Sequence, residues 1–293
     1  MAHATHAHDS SKYYIPHGSH WPFFGSITLF TLMLGACAYL NEWIESPWIL
    51  LPGFLLLASL FFGWFGTVID ENQRGIFNMQ VDKSFRMGMM WFIFSEVMFF
   101  SAFFGALFYA RIYSVPWLGG EGVKIFSNLL LWQEYAVQWP TNGPAKIGGE
   151  FDIIPAFGVP ALNTAILLTS GVTVTIAHHA LRSGNRKVLA IFLFLTLALG
   201  FLFVGLQGME YAEAYNHLNL KLSTGVYGST FFMLTGFHGM HVTVGAIMLT
   251  VIWLRVLWGH FTPDRHFAFE AVAWYWHFVD VVWLGLFIFV YWL

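Results

Sequence analysis

The chain has 293 residues, of which 57% are hydrophobic, 19% aromatic and only 10% charged, and its mean hydropathy is +0.63. A soluble domain carries roughly 25% charged residues and could not hide this much apolar surface from water, so the solvent is lipid. A net charge of −3 excludes a strongly steered polyanion such as nucleic acid, and a single cysteine, Cys37, excludes an internal disulfide or a multi-cysteine metal site. The chain opens on a polar, histidine-rich stretch, 1–21, without the basic-then-apolar order of a secretory signal. It reads as a mature tail ahead of one membrane domain over 22–293.

Apolar runs long enough to cross a bilayer follow at 22–40, 48–68, 87–110, 158–181, 188–209, 227–254 and 268–293. None alternates with period two, so a barrel is excluded and the prediction is an all-α polytopic protein with seven transmembrane helices. Pro47 and Pro52 fit the first turn of the second helix, where a missing N–H costs little. Short connections at 41–47 and 182–187 make antiparallel neighbours. The one long connection, 111–157, is an extramembrane insertion with GG and NGP punctuation, and VKIFSNLLLWQEYAVQW within it reads as a short helix at the interface.

Sorting the 13 Lys and Arg by side puts nine with the N-terminus (Lys12, Arg74, Lys83, Arg86, Arg182, Arg186, Lys187, Arg255, Arg265) and four opposite (Arg111, Lys124, Lys146, Lys221). The positive-inside bias then predicts a cytoplasmic N-terminus and an external C-terminus.

The chemistry-bearing residues stand out against this apolar ground. Glu96, in WFIFSEVMFFSAFF, lies about 15 Å into the bilayer from Arg86 at 1.5 Å per residue. A lipid-exposed charge there costs at least a few kcal/mol, so Glu96 faces protein or water, either hydrogen-bonded to a neighbouring helix or serving a proton or access path. His238 and His241 share a helix face with Gly245, and Glu270, Trp274 and His277 form a second stripe followed by Asp280. Imidazoles at this depth read either as haem or metal ligands or as interhelical hydrogen-bonding groups. Gln207, Glu210 and Glu213 read as a polar helix interface, and His178 and His179 as ordinary membrane-border residues beside a basic turn. The tail histidines His3, His6, His8, His17 and His20 read as a disordered segment or as a proton-buffering surface.

Several stretches together carry a resemblance: SEVMFFSAFF (95–104), LNTAILLTSGVTVTIAHHAL (162–181), GVYGSTFFMLTGFHGMH (225–241) and FAFEAVAWYWHFVDVVWL (267–284), with SHWPFFG (19–25) and QGMEYAEA (207–214) in support. The sequence closely resembles subunit III of the haem–copper cytochrome c oxidases, of the seven-helix bacterial and mitochondrial kind. That resemblance implies an accessory subunit of a terminal oxidase that reduces dioxygen to water and pumps protons, with cytochrome c as electron donor. It implies haem and copper in partner subunits I and II and no catalytic residue, metal or redox centre in this chain. It further implies a first helix pair splayed from a five-helix bundle, with phospholipids in the cleft, and roles in stabilising subunit I, supporting proton uptake and protecting against turnover inactivation. Trp64, Glu71, Phe92 and Arg255 match lipid-lining positions, and Glu96 matches a membrane carboxylate near the lipids and a dioxygen route. His238, His241, His277 and Asp280 become a structural polar cluster. The length of 111–157 points to a bacterial inner membrane, with the mitochondrial inner membrane as the alternative. Two rival classes are an independent ion transporter, which needs paired carboxylates or inverted repeats, and a self-sufficient membrane haem protein.

Overall fold

Long apolar runs leave the backbone no polar partner but itself, so they coil into helices. The computed structural model describes residues 18–293, and every regular element among them is helical. Seven helices are long and apolar enough to span a membrane: α1 (Trp21–Leu40), α2 (Leu51–Gln73), α3 (Met79–Tyr109), α4 (Val159–Arg182), α5 (Arg186–Asn216), α6 (Gly225–Leu257) and α7 (Phe267–Leu286). The predicted helix count and order are therefore the observed ones. Of the tail histidines, His3, His6, His8 and His17 lie outside the described residues.

Local chemistry sets the helix ends. Pro22 and Pro160 stand in the first turns of α1 and α4. Asn78 caps α3 by accepting the backbone N–H groups of Gln80 and Val81 at 3.1 and 3.0 Å, and Asn185 caps α5 by accepting that of Val188 at 3.3 Å. α4 and α6 close in the same way. Gly184 and Gly259 take left-handed φ values of 74° and 80°, and the following Asn185 and His260 donate back to the Ala180 and Arg255 carbonyls at 2.9 and 3.0 Å. That is the Schellman closure, which a Cβ would strain.

The helices form two compact units, one ending at Phe85 and the other covering Arg86–Leu293, with the division falling inside α3. In the first, α1 lies against α2. The Trp21 indole N–H donates to the Thr67 hydroxyl at 3.1 Å, and a Cβ at Gly53 would come within 2.7 Å of the Leu32 backbone.

In the second unit α4 packs on α5 and α7, and α6 packs on both α5 and α7. Lipid offers helices no hydrophobic drive toward one another, so close fit and interhelical hydrogen bonds hold them. Trp276 of α7 is fully buried at that meeting point. Gly200 of α5 and Gly245 of α6 make its slot, since a Cβ at either would lie 2.7 or 2.9 Å from the indole. Its N–H donates to the Ser170 hydroxyl at 2.9 Å, and that of Trp283 donates to Thr164 at 2.9 Å.

The connection after α3 starts later than expected. α3 runs on through a wider turn, Ala110–Ser114, into the short helical stretch Val115–Leu118. A second short helical stretch covers Gly122–Leu131, overlapping the first half of the segment predicted to be helical, and leaves Val123, Phe126 and Leu130 exposed; 132–139 is not helical. Farther along, the Asn219 side-chain amide donates to the Gly148 and Glu150 carbonyls at 2.9 and 3.0 Å, tying the connection to the α5–α6 turn.

Candidate functional site

The polar residues of the second unit resolve into separate groups at different depths. Glu96 on α3 meets His241 on α6, with Oε2 and Nε2 2.9 Å apart. The other ring nitrogen, Nδ1–H, donates to the Phe237 carbonyl at 2.6 Å. With Nδ1 committed as donor, a single proton must lie between Nε2 and the carboxyl. Whichever atom holds it, the pair is neutral overall, which is how a carboxyl survives at this depth. Both nitrogens of His241 thus have partners inside the chain.

His238, one turn earlier, is buried and donates from Nε2 to the Val279 carbonyl at 3.1 Å. His277 lies with Nδ1 3.7 Å from an Asp280 oxygen and Nε2 3.3 Å from the Thr175 hydroxyl. Of the four residues grouped from the sequence, the structure pairs His277 with Asp280 and sends His238 and His241 to other partners. The Gln207–Glu210–Glu213 stripe divides similarly. Glu210 is buried and accepts from the Tyr291 hydroxyl at 2.6 Å and the Gln207 amide at 3.1 Å, while Glu213 stays exposed.

Where α7 begins, Glu270 sits among groups that the sequence reading left unconnected. Arg86 of α3 forms an ion pair with Glu270 Oε2. His178, near the end of α4, and His266, just before α7, turn Nε2 toward Oε1 at 3.5 and 3.4 Å. The signal was in the sequence as a histidine one turn before Arg182 and another four residues before Glu270, but no periodicity joins residues on different helices.

The four residues matched to lipid positions lie in two units. Trp64, about half exposed, and Glu71 belong to α2. Phe92 on α3 is also about half exposed and stacks on Tyr275, with ring centroids 6.2 Å apart. Arg255, in the last turn of α6, is only 4% exposed. Its guanidinium lies over the Phe261 ring at 4.5 Å, and among the described residues its Nε and Nη2 have no hydrogen-bond partner. The His260 imidazole, in the loop beyond, is pushed below its ordinary value by burial first and by the Arg255 charge second.

Residues 11–293 match the family described as Cytochrome c oxidase subunit III. Cytochrome c oxidase subunit 3 of Oncorhynchus clarkii is 42% identical over 293 residues, covering 100% of this chain and 99% of that protein. The proteins of the same name from Coturnix japonica and Dugong dugon are 41% and 40% identical, over 98% and 100% of this chain and 98% and 99% of their own.

Proposed function

The chain belongs to the cytochrome c oxidase subunit III family and so is a multi-pass membrane subunit of an oxidase complex; from that premise we propose that it is the accessory, cofactor-free member. In this reading haem and copper reside in subunits I and II, cytochrome c donates the electrons, and this chain stabilises subunit I, supports proton uptake and guards the enzyme during turnover. We place it in a bacterial inner membrane on the length of the 111–157 connection, with the mitochondrial inner membrane as the alternative, and orient it with the N-terminus cytoplasmic and the C-terminus periplasmic on the Lys and Arg bias.

Phospholipid binding is the part of the proposal with a specific observation behind it. Arg255 is buried at a helix end with two guanidinium nitrogens unpartnered. A buried guanidinium with unmet donors costs several kcal/mol, and a phosphate oxygen pair satisfies that fork at headgroup depth. Phe92 is proposed to meet acyl chain. On the other unit, Trp64 and Glu71 are proposed as lipid-contacting side chains as well, and Glu96 as a carboxyl that organises its surroundings rather than a pumping residue.

The test is Arg255→Ala in the whole oxidase, read by phospholipid retained through detergent washing and by turnovers completed before inactivation. A lost charge-assisted hydrogen bond of about 1.5–3 kcal/mol predicts tightly held phospholipid leaving roughly 10- to 100-fold more readily, with a shortened working life. Arg255→Lys keeps the charge but not the fork and falls between. Unchanged lipid content and lifetime in Arg255→Ala would sink the lipid assignment.

A further inference from the structure

Two imidazole nitrogens converge on one carboxylate oxygen of Glu270. The Nδ1–H of His266 donates to the Thr262 carbonyl at 3.2 Å, so in the neutral ring Nε2 carries a lone pair. That lone pair is aimed at Oε1 of Glu270 from 3.4 Å. His178 aims Nε2 at the same oxygen from 3.5 Å, and this nitrogen is buried without a hydrogen-bond partner. Both separations are too long for a good N–H···O bond, whose range is about 2.7–3.2 Å. They do match the edge of a tetrahedron with bonds of about 2.0–2.1 Å, which is roughly 3.3–3.4 Å.

We propose that His178, His266 and Glu270 form a binding site for a divalent cation of the zinc class, with water in the fourth position. Two imidazoles and a carboxylate are a donor set that suits Zn²⁺. The three ligand atoms lie within 4.8 Å of one another, so the two imidazoles need to close by at most about 1.5 Å to reach the tetrahedral edge. The surrounding contacts are those that a ligand set requires. The Thr262 carbonyl fixes the His266 tautomer, and Arg86 holds the second Glu270 oxygen, leaving Oε1 for the metal. Bound there, the ion ties the end of α4 to the start of α7 beside α3. The ion is structural and performs no redox chemistry, so the site adds to the accessory role proposed above and leaves the redox centres in the partner subunits.

The experiment titrates Zn²⁺ into the full-length chain in mild detergent against a fluorescent chelator. His3, His6, His8, His17 and His20 are replaced by alanine in every sample, so the tail contributes no ligands. The expected result is one ion per chain, with at least tenfold weaker binding in His178→Asn and in His266→Asn and no change in His179→Asn. Both test variants keep the Arg86–Glu270 pair, which protects the fold. X-ray absorption at the zinc edge is expected to find two imidazole nitrogens and a carboxylate oxygen. No uptake by the tail-replaced chain, or binding by His178→Asn and His266→Asn as tight as that of the tail-replaced chain, would overturn the site.

Discussion

Trp276→Ala is expected to destabilise the second unit by about 3–5 kcal/mol, the usual cost of deleting a large buried aromatic. The indole fills a slot between Gly200 and Gly245 and bonds to Ser170. Four helices meet around it, and in lipid the lost dispersion contacts have no hydrophobic substitute. The neighbours cannot collapse inward cheaply, because the glycines have already brought the backbones as close as the ring allows. Trp276→Phe is expected to lose less, from reduced ring volume and the hydrogen bond to Ser170, which contributes about 0.6 kcal/mol on average inside membranes. Unfolding of the chain by graded denaturing detergent measures both. A loss below about 1 kcal/mol for the alanine variant would mean that the slot is not the packing centre.

The second large effect is on the Glu96–His241 pair. Removing either partner leaves the other with an unmet polar group inside the bilayer, at about 1–3 kcal/mol. Glu96→Leu and His241→Leu are each expected to lose that much, and the double variant distinctly less than the sum. Since the two groups touch at 2.9 Å, a coupling energy within about 0.5–3 kcal/mol is expected. Strict additivity in this cycle would show that the contact contributes nothing and that Glu96 is satisfied elsewhere.

Seven spans were legible because lipid makes each helix announce itself as an apolar run. Their ends were less so. α3 begins at Met79 rather than near 87, because Asp82, Lys83, Ser84 and Arg86 lower the hydropathy of what are ordinary helical turns, capped by Asn78. α5 reaches Asn216 rather than 209, because Gln207 and Glu210 lower the hydropathy yet find partners in each other and in Tyr291. The glycine turns at 184 and 259 could be read locally, since a Schellman closure is written in a few adjacent residues.

Site geometry was largely hidden. Helical spacing puts His238 and His241 on one face, but it does not say that Glu96, 145 residues away, stands opposite His241. The Glu270 group draws on three helices and the loop before α7. None of its members looks unusual alone, and His178 reads as an ordinary border histidine. Arg255 could be placed at a helix end from sequence, but its burial and unpartnered nitrogens depend on Phe261 and on how α6 packs.

The most direct measurement is a mild-detergent purification of the tagged chain from its own membrane, recording co-purifying chains and the visible spectrum. An accessory oxidase subunit is expected to bring a haem-bearing partner with it, and the colour is expected to stay with the partner when the two are separated. A chain that arrives alone, or that keeps haem absorption after its partners are stripped away, would contradict that role.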